Sequence, residues 1–208
     1  MGSIYVTLLR HGRSLADDQK VHEGRYDAPL TEVGLGQAQA RLEEFRAQKL
    51  RFDRIISSPL QRARTVAELM SEGLGVPLEL EADWMEQDNG FMAGLSYEEG
   101  QQRFPEPNFR NPYEKPFGGS GESGWELYSR AARAVQRLVS RGAGSYLVVA
   151  HGGVLNAALR VILGIPPTAN EQGIRFSFAD LGYAMLEYRP KQHIWHLDRF
   201  EMGFNTRA

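Results

Sequence analysis

The sequence predicts an α/β fold: a three-layer sandwich with a largely parallel central sheet flanked by helices. Three observations predict it. Short β-rich apolar runs alternate along the chain with segments of helical period, the order that lays strands into one layered sheet. The first run, Ile4-Tyr5-Val6-Thr7-Leu8-Leu9, is mostly apolar at consecutive positions, as a strand buried in a parallel sheet requires. Three of the runs lead into polar side chains. Arg10 and His11 follow the first, Arg62 follows Ile55-Ile56-Ser57-Ser58-Pro59, and His151 follows Tyr146-Leu147-Val148-Val149-Ala150. Ligands of open α/β sheets bind beyond the carboxyl ends of the strands, so these four residues are expected on one rim.

The elements follow in order. After the first strand, residues 12–29 read as a polar loop. Thr31 caps the next helix, with Glu32 in its first turn and Ala38, Leu42 and Phe45 on its buried face. Arg54-Ile55-Ile56-Ser57 is the second strand. Ser58-Pro59 then supplies an N-cap and a first-position proline for a helix carrying Val66, Leu69 and Met70, with Arg62 in its first turn and Arg64 on its surface. Residues 76–80 form a third strand. Periodicity is lost over about 84–124, where four prolines alternate with aromatic residues and Gly118-Gly119 closes the stretch; only a short helix near 97–103 is expected. So long an irregular region is usually functional, for example a lid. Trp125, Tyr128, Ala132, Val135 and Val139 then mark a long helix. The strand 146–150 and a helix with Val154, Ala158, Val161 and Ile162 follow, and Gly164-Ile165-Pro166-Pro167 stops that helix. Two last strands are expected at 182–188 and 193–197, the latter an edge strand on which His193 and His196 flank Trp195.

Composition narrows the function. The chain has 208 residues, 42% hydrophobic and 24% charged, with net charge −2, and is read as one domain, 1–208, carrying its cap or lid at about 84–124. No basic face points to nucleic acid. The absence of cysteine excludes disulfides, thiolate metal sites and cysteine nucleophiles. No stretch approaches the roughly 18 apolar residues of a membrane span, and the first residues carry neither charged lead nor apolar signal core. A cytoplasmic protein with a small-molecule partner, and no membrane, is expected.

Leu9-Arg10-His11-Gly12, Pro29-Leu30-Thr31-Glu32-Val33-Gly34, Ser57-Ser58-Pro59-Leu60-Gln61-Arg62-Ala63 and Ala150-His151-Gly152-Gly153 are the motifs that carry a resemblance. In this order they resemble the histidine phosphatase superfamily, the phosphoglycerate mutase-like family, in its broad bacterial phosphatase branch. The resemblance implies the phosphoglycerate mutase-like fold and a phosphomonoester hydrolase working through phosphohistidine on a small phosphorylated metabolite. His11 is then the nucleophile, Arg10 and Arg62 clamp phosphoryl oxygens, and His151 is a further phosphate ligand with a catalytic part. The general acid is expected at Glu86, with Asp88 as its rival. The resemblance admits a homodimer and implies no cofactor. A metal site built from His11, His151 and Glu86 is disfavoured, because two arginines beside it repel a divalent cation.

Three departures bear on substrate. Arg13-Ser14 stands where Glu or Gln before Ser or Thr is common, Asp17 where Asn is frequent, and Glu23 where Gln or Thr often precedes the glycine, here Gly24. Arg13, Ser14, Asp17, Glu23 and Gly24 are therefore candidate substrate-binding residues. The simpler expectation is that Arg13 pairs with Asp17 or Glu23 and orders the loop. A cofactor-dependent phosphoglycerate mutase is the alternative activity, and a catalytically inactive phospho-ligand binding protein is a third reading.

Overall fold

The computed structural model describes residues 2–204. Its six strands are β1 (Ile4–Arg10), β2 (Arg54–Ser57), β3 (Leu78–Leu80), β4 (Gly144–Ala150), β5 (Tyr183–Arg189) and β6 (Ile194–Glu201). They form one sheet in the order β3-β2-β4-β1-β5-β6. The first four in that order run parallel; β5 and β6 join antiparallel, so the sheet is mixed. The helices are α1 (Leu15–Gln19), α2 (Glu32–Ala47), α3 (Gln61–Leu74), α4 (Tyr97–Arg103), the single kinked turn α5 (Pro116–Gly119), α6 (Gly124–Ser140) and α7 (Gly152–Leu163).

Strand period explains the three layers. Ile4, Val6 and Leu8 of β1, Ile56 of β2, and Tyr146, Val148 and Ala150 of β4 face one core, shared with α6 and α7. Leu9, Ile55, Leu147 and Val149 face the other, shared with α2 and α3. Helices cover both faces, which is why these strands are almost continuously apolar.

Several local readings change. The stretch 12–29 is not all loop: Ser14 caps α1 in a reciprocal capping box with Asp17. Helix α3 begins at Gln61 with Leu60 at its N-cap, so Ser58 and Pro59 precede it; the Ser58 hydroxyl accepts from the Leu60 N–H instead. The third strand is trimmed to three residues. On α6 the buried line is Leu127, Ala131, Ala134, Val135 and Leu138, about one position from the expected stripe. Trp125 and Tyr128 flank that line, and Trp125 stacks on Tyr113. His193 lies in the turn before β6, bonded to Tyr188, while His196 is on the edge strand. Arg64 pairs with Glu68 on the surface.

Helix α2 starts against the loop that follows β1. Thr31 Oγ1 accepts the Gly34 N–H, and Gly34 packs on the Arg13 backbone so closely that a Cβ would overlap the Arg13 carbonyl. Two glycines of one helix therefore test opposite effects. Gly34→Ala is expected to destabilise by more than about 2 kcal/mol through that backbone clash. Gly36→Ala, exposed with nothing near its Cβ, is expected to stabilise by about 0.5–1 kcal/mol through helix propensity. Urea unfolding of the two variants checks both signs.

Candidate active site

Strand pairing assembles the site. Arg10 is paired with Ala150 across β1 and β4, so His11 and His151 each lie one residue past the end of neighbouring parallel strands. The His11 N–H donates to the Ala150 carbonyl at 3.0 Å. The imidazole centroids are 5.0 Å apart in an edge-to-face arrangement, and both rings are buried. From α3, the fully buried Arg62 reaches the same point, with Nε donating to His11 Nε2 at 3.3 Å.

Hydrogen bonding fixes the ring form of His11. His11 Nδ1 donates to the Gly12 carbonyl at 2.7 Å, so Nε2 keeps its lone pair and faces the Arg62 fork. Ser58 Oγ accepts the Leu60 N–H and is hydrogen-bonded to His151 Nε2 at 2.8 Å. His151 Nδ1 is buried with no partner among the described residues. Burial, reinforced by Arg62 and Arg10, holds the His11 imidazole well below its usual range. Burial does the same to His151, followed by Arg62, His11, Arg10 and Arg130.

The cations are aimed by main-chain oxygens. Arg62 donates to the carbonyls of Tyr26 and Gly24 at 2.9 and 2.8 Å. Arg10 donates to the Phe178 carbonyl at 2.8 Å and lies 3.8 Å from Asp180. Glu23 comes closest among the carboxylates, with Oε1 3.5 Å from Arg62 Nε and Oε2 3.9 Å from His11 Nε2. Ser14 Oγ donates to Glu23 Oε1.

Glu86 enters from the irregular segment. Its Oε2 accepts the Gly153 N–H at 2.9 Å and its Oε1 the Val154 N–H at 3.0 Å, at the start of α7 beside His151. A Cβ on residue 153 would overlap this carboxylate, so glycine permits the approach. Asp88 is turned away, accepting the Gly90 N–H and facing Arg25.

Of the candidate residues, His11, His151, Arg62 and Arg10 come together, with Glu86 on the α7 side. Arg13 does not pair with Asp17 or Glu23: its Nε donates to Asp18 at 2.6 Å, because Asp17 is turned back to the Ser14 N–H in the capping box. Ser14 is buried, and its hydroxyl is committed to Glu23 and the cap. Sequence reasoning missed two supports. One is Ser58, assigned to a cap it does not make. The other is Arg130, which grips Glu122 with two hydrogen bonds of 2.7 Å and donates to the carbonyls of Asp83, Met85 and Glu86. Neighbouring buried small and apolar residues hid Arg130; an arginine on the inner face of α6 was the available signal.

A cavity of about 1210 Å³ opens beside Arg10, Gly152 and Gly153. It is lined by Tyr97, Phe104, Phe109 and Phe117 from the irregular segment and by Phe176 and Phe178 from the loop before β5. His11, Arg62 and His151 are not among the residues that line it, though Arg10 and Gly152, the chain neighbours of His11 and His151, are. Among the described residues, no helix is long and apolar enough to cross a membrane.

Comparison with known proteins places this geometry. Residues 6–201 match the family model described as the histidine phosphatase superfamily, branch 1. A 2,3-bisphosphoglycerate-dependent phosphoglycerate mutase of Methylobacterium sp. is 34% identical over 77% of this chain and 81% of its own. The uncharacterized phosphatase PhoE of Bacillus subtilis is 28% identical over 91% of this chain and 96% of its own. A mycobacterial glucosyl-3-phosphoglycerate phosphatase has the same fold, with a TM-score of 0.78 at 22% identity over 96% of this chain and 99% of its own.

The two buried imidazoles set an acid limit on stability. Their folded values lie below the unfolded value of about 6.5, so the unfolded chain binds protons the native state refuses. Stability is held above that pH and is lost as pH falls through it, by about 1.4 kcal/mol per pH unit for each ring. Glu23, raised by burial, works in the opposite sense at lower pH and offsets part of the loss. Urea unfolding at pH 7.5 and 5.5 is expected to show a smaller loss for the double variant His11→Asn, His151→Asn than for the wild type.

Proposed function

The chain belongs to the histidine phosphatase superfamily, and from that premise we propose that it is a phosphomonoester hydrolase that acts through a phosphohistidine on a small phosphorylated metabolite. One observation carries the reading: His11 Nε2 is unprotonated, its lone pair accepting only the long 3.3 Å bond from Arg62 Nε, with the His151 ring beside it. His11 attacks phosphorus as the ester P–O bond breaks. Arg10, Arg62 and His151 Nδ1 take the equatorial oxygens as charge develops on them. Glu86 gives a proton to the leaving alkoxide, then takes one from the water that attacks the phosphohistidine, which restores His11 and releases phosphate. For the first step one Glu86 oxygen must carry the proton while the other keeps its N–H donor. The arginine pair supplies the charge neutralisation that a metal would otherwise provide, so the reaction is metal-independent.

Charge pairing around the cavity favours water as the acceptor. A mutase must also hold a second phosphoryl group. The basic residues on the cavity wall are instead engaged. Arg13 is paired with Asp18, Arg110 with Glu106 and Glu171, Lys115 with Glu126 and Arg175 with Glu171, while Arg160 donates to the Ile174 carbonyl. The mutase reading is favoured by the 34% identical Methylobacterium relative. Phosphate release from an aryl phosphate, measured against mutase activity with 2,3-bisphosphoglycerate, separates the two.

Three outcomes are expected in that assay. His11→Ala abolishes turnover, and labelled phosphohistidine, trapped at alkaline pH in the wild type, disappears. Glu86→Gln slows alkyl phosphates by about 100-fold or more and aryl phosphates much less, since only the poorer leaving group needs the proton. A chelator leaves the wild-type rate unchanged. Wild-type turnover by His11→Ala would remove the nucleophile assignment, and equal losses on both ester types would remove the acid role of Glu86.

A further inference from the structure

Glu23 is an acidic group where the proposed chemistry calls for an anion. Its side chain is 18% exposed and stands within 4 Å of both His11 Nε2 and Arg62 Nε. A phosphorus attacked by His11 lies about 3–3.5 Å from Nε2, and Glu23 Oε2 stands 3.9 Å from the same nitrogen, so a phosphoryl group there has a carboxylate for a neighbour. Two negative charges that close repel strongly where solvent screens them only in part.

Little room exists for Glu23 to swing away. Ser14 holds Oε1, and Ser14 is itself buried and locked into its capping box by Asp17. The surrounding groups come from four elements. Arg10 and His11 lie at the end of β1, Ser14 and Asp17 at the start of α1, Arg62 on α3 and Tyr97 on α4. Burial pushes the Glu23 carboxyl up, and the Asp17 charge adds to this; Arg62, the Ser14 hydrogen bond and Arg10 pull it down. A second anion on Arg62 changes that balance toward the protonated form.

We propose that Glu23 is a proton-carrying phosphate ligand: wedged between Ser14, Arg62 and His11, its carboxyl takes up one proton as a phosphate anion binds and donates a hydrogen bond to a phosphoryl oxygen. The proton comes from solvent and returns to it when phosphate leaves; Glu23 forms no bond to phosphorus. This inference rests on the reading of the site as a phosphate site, but not on which molecule accepts the phosphoryl group. Its consequence is a preference for acidic conditions built into substrate binding, which a glutamine at this position would not have.

Inorganic phosphate is the probe, titrated into wild type and Glu23→Gln by calorimetry at pH 7 in buffers of different ionisation enthalpy. The wild type is expected to take up close to one proton more than the variant. The ratio of wild-type to variant Kd is expected near one at pH values where Glu23 is already protonated in the free protein and to rise by about tenfold per pH unit once it ionises, with the ionisation of phosphate itself cancelling in the ratio. The same event is visible without a variant, as one carbon-13 glutamate carboxyl signal that moves to the neutral position when wild type is saturated with phosphate at pH 7. Equal proton counts, a Kd ratio independent of pH, or no such signal would overturn the role of Glu23 while leaving the phosphate site intact. Failure of either protein to bind millimolar phosphate between pH 5 and 8 would overturn the phosphate-site reading and this inference with it.

Discussion

Everything in the site depends on the parallel register of β1 and β4. Because Arg10 is opposite Ala150, the next residue of each strand is a histidine, and the two rings meet at 5.0 Å. A shift of one residue would send one imidazole to the opposite face of the sheet. The register is held by apolar alternation on two faces at once. Leu8 and Val148 must reach one core while Leu9 and Val149 reach the other. Neighbouring β2 adds Ser58 by the same logic: its N–H bonds the Val149 carbonyl, and its hydroxyl reaches His151.

Given that register, the remaining question is how so much positive charge is tolerated in a buried place. Arg62 is fully buried, and the nearest carboxylate, Glu23, is offset at 3.5 Å rather than paired bidentately. Main-chain carbonyls of Gly24 and Tyr26 satisfy the guanidinium and fix its direction, but they do not cancel its charge. Burial first, and the same charge after it, hold both imidazoles well below their usual range. Positive potential and imidazoles that resist protonation thus come from one arrangement of residues.

The sequence made the principal chemistry readable because strand ends are marked by abrupt changes of polarity. Arg10-His11 after Leu8-Leu9, and His151 after Val148-Val149-Ala150, need no knowledge of side-chain packing to be noticed. The short helix α1 was illegible because five residues hold no period; only the Ser14–Asp17 spacing of its capping box signals it. Ser58 misled because Ser-Pro is a good helix start in isolation, whereas tertiary pairing with His151 took its hydroxyl and moved the helix to Gln61. Arg13 chose Asp18 over Asp17 and Glu23 for a related reason: both of those carboxylates are engaged with Ser14. The antiparallel entry of β5 and β6 carries no mark in residue type.

Arg130 shows how the irregular segment is tied to the sheet. Trp84 is fully buried in the core against α6, and two residues on the chain delivers Glu86. Around them the carbonyls of Asp83, Met85 and Glu86 converge on the Arg130 guanidinium, whose charge is matched by Glu122 from the far end of the same segment. One arginine therefore clamps both ends of the segment to α6, while the middle, rich in proline and aromatic residues, spans the cavity. Glu86 is fixed twice, through its backbone by Arg130 and through its carboxylate by the first N–H groups of α7. Variation in the middle of the segment can then alter the cavity wall while both anchors of Glu86 stay in place.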